Sequence, residues 1–171
     1  KGGVIHTTYS YITENCFVDM NCSSIFNNSA EYGGVVSSSN IKYVHINYSE
    51  IKDNQASFGA IISKMSTSEI QISNSSCFNN LAIKGSILYS IAGGNNSFIR
   101  SGFDKNKAEV GGLIYSVKGR DLNKISNFNT IFKSCDLADN YGKKGLFYSI
   151  YDNLIITDSS VTYLNKSYDI P

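Results

Sequence analysis

Apolar and polar residues alternate in short bursts along this chain. In Val44-His45-Ile46 and Ile70-Gln71-Ile72 the apolar positions are two apart, the period of a strand whose side chains point to opposite faces. No segment carries the 3.6-residue stripe of an amphipathic helix. Between the bursts lie turns rich in Ser, Asn and Gly. The bursts recur at a fixed interval. Tyr32, Phe58, Lys84 and Val110 each stand before a glycine-led apolar pair, Gly33-Gly34-Val35-Val36 being the first, and the step between them is 26 residues. A second phrase keeps the same time: Ile25-x-x-Asn28, Ile51-x-x-Asn54, Cys77-x-x-Asn80 and Phe103-x-x-Asn106, with Leu137-x-x-Asn140 continuing the series.

Shifting the sequence by one period lays like on like. Met20, Ile46, Ile72 and Phe98 form one column, continued by Phe132. Val18, Val44 and Ile70 form a second, and Ile25, Ile51, Cys77 and Phe103 a third. Three short strands per period account for this spacing. No single period can bury its apolar face alone, so each must pair with the next. The pattern predicts an all-β chain, a parallel β-helix of about six coils of ~26 residues, spanning residues 1–171 as one segment. The rival fold is a leucine-rich repeat, against which the Asn that should follow Ile46 is missing and the glycine pair has no role.

The glycines suit a tight corner, and the asparagines suit a second corner where the left-handed region is tolerated. Stacked, Asn28, Asn54, Asn80, Asn106 and Asn140 can also bond amide to amide from coil to coil. The period loosens in three places. The first coil has extra residues, Lys118–Lys124 reads as a loop, and Asn140 falls one place late against a glycine register set on Lys143. A last partial copy is Val161-Thr-Tyr-Leu-Asn165. The chain opens on Lys1-Gly2-Gly3-Val4-Ile5, already mid-phrase, as a piece of a longer array would.

Composition narrows the function classes. Apolar content of 42% with 17% charge places the chain among globular proteins, not disordered ones. A net charge of +1 with mixed signs gives no footprint for nucleic acid. No apolar run approaches the ~20 residues of a membrane span. Cys16, Cys22, Cys77 and Cys135 show no zinc spacing with His6 or His45, so neither a metal nor another cofactor is expected. Cys16 and Cys22 share the irregular first coil and are candidates for a disulfide. Cys77 falls in an inward column and reads as a small hydrophobe. Asn-x-Ser sequons stand at Asn21, Asn27, Asn47, Asn74, Asn95 and Asn165, candidates for glycans in a secreted eukaryotic chain.

Gly2-Gly3-Val4-Ile5, Gly33-Gly34-Val35-Val36, Gly111-Gly112-Leu113-Ile114 and Phe103-x-x-Asn106 resemble the tetrapeptides of the chlamydial polymorphic outer membrane protein repeats. Similar repeats occur in large surface proteins of some protists. The resemblance covers almost the whole chain and implies a right-handed β-helix of the pectin-lyase-like type, displayed at a cell surface and adhesive. It supplies no catalytic residues.

Many such helices are polysaccharide lyases or hydrolases, whose sites need converging carboxylates. Here Asp53 aligns with Asn27, Asn79 and Lys105, and Glu31 with Ser57 and Ile83, so no acidic column forms. The expectation is a non-catalytic, extracellular or cell-surface scaffold or adhesin, whose partners are a surface protein or glycan, or neighbouring coils. A structural filament subunit and a carbohydrate-active enzyme are the alternatives. Tyr89, Tyr115 and Tyr148 should stack as one column, either an aromatic ladder or a binding stripe.

Overall fold

The computed structural model describes residues 3–7, 16–39, 41–66, 68–91, 93–117, 128–150 and 152–163. The predicted loop at Lys118–Lys124 and the sequon at Asn165 lie outside them. Among the described residues there are strands and turns and no helix.

The chain winds as a parallel β-helix. One sheet stacks six strands: Ile5–Thr7, Val36–Ser38, Ile62–Lys64, Leu88–Ser90, Ile114–Ser116 and Phe147–Ser149. A second stacks Phe17–Asn21, Tyr43–Asn47, Glu69–Ser73, Asn96–Ile99, Phe128–Lys133 and Asp152–Thr157. The third face is a pair of ribbons. Ser24–Phe26, Glu50–Lys52, Ser76–Phe78 and Gly102–Asp104 form one; Ser29–Tyr32, Gln55–Phe58, Leu81–Lys84 and Lys107–Val110 form the other. Both run into the long strand Asp136–Lys144, which also pairs with Ser160–Tyr163.

The register reproduces the sequence columns. Val18 pairs with Val44, which pairs with Ile70, and Met20, Ile46, Ile72, Phe98 and Phe132 stand in line. Ile25, Ile51, Cys77, Phe103 and Leu137 form the third column. These side chains fill the bore, most of them with no exposure at all. Each such burial contributes roughly 1.5–3 kcal/mol. Towards the later coils the aliphatic columns become aromatic. Phe98 and Phe132 stack at 4.5 Å, and Phe103 meets them edge-on at 5.6 and 5.7 Å.

Three corners per coil are left-handed, and one differs from expectation. Gly33, Gly59, Gly85, Gly111 and Gly145 turn the first, with φ from 57° to 84°. At the second corner the left-handed residue is not the laddered Asn but its predecessor: Asn27, Asp53, Asn79, Lys105 and Asp139, with φ from 52° to 56°. The turn thereby swings the next side chain inward, where Asn28, Asn54, Asn80, Asn106 and Asn140 bond across coils. A third column, Cys22, Tyr48, Asn74, Arg100, Ser134 and Asp158, also lies near φ 50°.

The register near the C-terminal coils is also corrected. Val110 pairs with Lys144, not Lys143, and Asn140 receives the hydrogen bonds of Asn106 in normal register. Gly145 takes the place of Gly111, with the Gly112 amide donating to its carbonyl, and Leu146 follows at once. One residue is missing from this corner after the ladder, so Asn140 itself is not displaced.

Candidate functional site

The polar residues that recur along the chain are engaged in three structural columns. In the asparagine ladder, Asn80 Oδ1 accepts from the Asn54 amide at 3.1 Å and from Asn54 Nδ2 at 3.0 Å. Asn80 Nδ2 donates to Asn106 Oδ1 at 2.9 Å and to the Ile51 carbonyl at 3.1 Å. The same pattern joins Asn28 to Asn54 and Asn106 to Asn140. A serine ladder runs beside it. Ser49 Oγ accepts from the Ser23 amide, Ser75 Oγ from Ser49, and Ser101 Oγ from Ser75. Each of these hydroxyls donates to a carbonyl two residues earlier. Ser23, Ser49, Ser75 and Ser101 keep the repeat spacing, a signal the sequence carries without marking it. In a serine-rich chain the spacing was hidden by composition.

The third column is aromatic and faces outward. Tyr89 and Tyr115 stack with centroids 5.3 Å apart, and Tyr115 and Tyr148 at 5.0 Å. Across the glycine corner, Phe58 lies 5.0 Å from Tyr89, and Tyr32 stacks on Phe58 at 4.8 Å. Lys84 Nζ sits 4.9 Å from the Tyr115 ring centroid and 5.8 Å from that of Phe58. All five rings are half-buried, and burial pushes the Tyr89 phenol up from its ordinary range. The stacked faces are taken by neighbouring rings, so along the column a ligand meets mainly ring edges and phenol hydroxyls.

Among the described residues one lysine side chain lies inside the bore. Lys64 is fully buried, with Nζ donating to the Ser68 carbonyl and to Asn96 Oδ1, both at 2.8 Å. Asn96 Nδ2 in turn donates to Thr130 Oγ1 at 3.0 Å. Burial strips water from the ammonium and brings Lys64 down to about 7, against a weaker upward pull from Asp152 and Glu69. Asp152 is half-buried at the same corner and bonded to Ser116 Oγ; burial pushes its carboxyl upward. The sequence held a signal for Lys64: alternation from Ile62 places it on the inward side of its strand.

The remaining predicted residues separate. Cys16 and Cys22 are free, exposed and at opposite ends of the strand Phe17–Asn21. At ~3.3 Å per residue that strand holds them on the order of 20 Å apart, beyond the ~7 Å reach of a disulfide, so the expected clip is not formed. Cys77 and Cys135 are free and buried, and burial raises both thiols. A maleimide should therefore label Cys16 and Cys22 in the native protein, and Cys77 and Cys135 only after unfolding. Early labelling of Cys77 would refute its placement.

Asn21, Asn27 and Asn95 are exposed, and Asn47 and Asn74 half-buried. Asn47 Oδ1 is held by Ser73 and Asn74, and Asn74 Oδ1 by Arg100. Asn21 and Asn47 are paired neighbours, ~4.8 Å apart by strand spacing.

Three of the described acids pair locally: Glu50 with Lys52, Asp104 with Lys105, and Asp53 with Asn79 Nδ2. A shallow groove of about 270 Å³ runs over Gln55, Ala56, Leu81 and Ala82, and none of its lining residues is ionisable. Among the described residues no cluster of His, Cys, Asp or Glu could hold a metal. His6 is exposed, and His45 packs on the Tyr43 ring at 4.2 Å. No family model, curated protein or solved structure matches the chain.

Proposed function

We propose that this chain is a non-catalytic segment of an extracellular or cell-surface β-helical protein, acting as a scaffold or adhesin. The observation that carries this reading is the aromatic column of Tyr32, Phe58, Tyr89, Tyr115 and Tyr148. It is a recurring aromatic feature on the outside of the coil, and it runs along the solenoid axis. Such a surface fits a partner that is itself extended, a glycan or a protein strand, and phenol hydroxyls can bond to either. The tetrapeptide phrases support a relation to the polymorphic outer membrane protein repeats, whose implied role is surface display and adhesion.

Two measurements test the reading. Antibodies raised against the segment should label intact source cells without permeabilisation; labelling only after permeabilisation overturns the surface location. Incubation with acidic and neutral polysaccharides should release no new reducing ends or unsaturated sugars. Sustained turnover that follows the protein through purification would instead establish an enzyme.

A further inference from the structure

Lys64, Asn96 and Thr130 make a buried polar chain at the corner between the first and second sheets. Their exposures are 0%, 1% and 2%. The lysine comes from one pass of the first sheet and the asparagine from a later pass of the second, 32 residues apart in sequence. Neighbouring coils carry Ser38, Ser90 and Ser116 at the Lys64 position, and Val44 and Ile70 at the Asn96 position. The pair is therefore a local exception to the columns it interrupts.

We propose that the folded chain joins Lys64 to Asn96 through an isopeptide bond, releasing ammonia. A neutral amine has two N–H groups and one lone pair. Here the two N–H groups are taken by the Ser68 carbonyl and Asn96 Oδ1, both at 2.8 Å, which leaves the lone pair free to react. The nucleophile is thus held against the carboxamide, with water excluded, as proximity catalysis requires. A rotation of the Asn96 amide turns its carbon towards Nζ. The Nζ–Cγ bond then forms and the Cγ–Nδ2 bond breaks.

The proton lost by Nζ ends on the departing nitrogen, which leaves as ammonia. The Thr130 hydroxyl, 3.0 Å from Asn96 Nδ2, is placed to pass it. One amide replaces another, so no oxidant, cofactor or energy source enters the balance. The exchange is driven by escape of ammonia and by removal of an amine from an apolar interior. Burial that holds Lys64 near 7 supplies the neutral nucleophile that the two hydrogen bonds already aim at the carboxamide. The product would tie one coil covalently to the next.

Intact mass spectrometry of the purified, denatured protein tests this directly. Wild type should weigh one ammonia less than its sequence, and a digest should contain one branched peptide joining the Lys64 and Asn96 segments. Lys64→Arg and Asn96→Ala should each return to full sequence mass. If Lys64→Arg keeps the ammonia loss, the change is a succinimide elsewhere and the proposal fails. It also fails if folded wild type has its full mass. In that case the free amine shows itself: Lys64, facing Ser68, Asn96, Thr130, Asp152 and Glu69, titrates near 7 when folded and near 10.5 when unfolded. The unfolded chain then holds the extra proton between those values, so stability rises with pH across that window. The crosslinked protein lacks that slope.

Discussion

Replacing Asn80 with alanine should lower stability by about 3–5 kcal/mol, because several buried groups lose their partners together. Asn80 is wholly buried. Its Oδ1 is the acceptor for the Asn54 backbone amide and for Asn54 Nδ2, and its Nδ2 serves Asn106 Oδ1 and the Ile51 carbonyl. Alanine supplies neither function, so the Asn54 amide and the Ile51 carbonyl lose their partners. Asn80→Asp should be no better, since an ionised carboxylate accepts but cannot donate. Asn28→Ala should lose less, about 1 kcal/mol, because Asn28 is half-buried. Chemical denaturation checks the totals. Hydrogen exchange checks the cause: the Asn54 amide should lose protection in Asn80→Ala, while the amides of distant coils keep theirs. Equal losses at Asn28 and Asn80 would show that the ladder does not act through burial.

Gly59→Ala should be comparably damaging for a backbone reason. Gly59 has φ +65°, and a Cβ there would lie 2.0 Å from the Ile62 carbonyl oxygen and 2.6 Å from its carbon. The left-handed conformation alone costs a non-glycine residue roughly 1–2 kcal/mol. The clash adds to this, because the corner is pinned by its neighbours. The Gly59 amide donates to the Lys84 carbonyl at 3.0 Å, and the Ile62 amide to the Ile87 carbonyl at 2.9 Å. A loss of about 3 kcal/mol or more is expected. Gly102→Ala is the control. Nothing lies within 4 Å of a Cβ at Gly102, so the change should be neutral or stabilise by a few tenths to ~1 kcal/mol through the unfolded chain. Parallel denaturation curves of the two variants decide the matter, and a Gly59→Ala curve lying on that of Gly102→Ala would sink it.

Much of this fold was readable before any coordinates. A solenoid repeats one supersecondary unit, so a 26-residue shift of the sequence is also one step along the axis. Every contact between equivalent positions then follows from alignment alone. Ile25 on Ile51 on Cys77, Asn54 on Asn80, and Tyr89 on Tyr115 are contacts of this kind. The serine ladder was equally available at Ser23, Ser49, Ser75 and Ser101, but an abundant residue at a repeated position attracts no notice.

Contacts between non-equivalent positions were not legible. Lys64 meets Asn96 at a separation of 32 residues, and Ser116 meets Asp152 at 36. Neither matches a simple shift of the repeat, because both cross a corner from one sheet to another. The corner geometry also decided which residue takes the left-handed turn: Asp53 and Asn79, while Asn54 and Asn80 point inward. It kept Cys16 from Cys22 by running a straight strand between them.

The sequence by itself determined the coil, its period, its inward columns and its ladders, since these are translational and translation is written along the chain. The tertiary structure alone decided what gathers inside a corner, because that depends on how three sheets fold around one bore. The buried Lys64–Asn96–Thr130 chain belongs to this second kind.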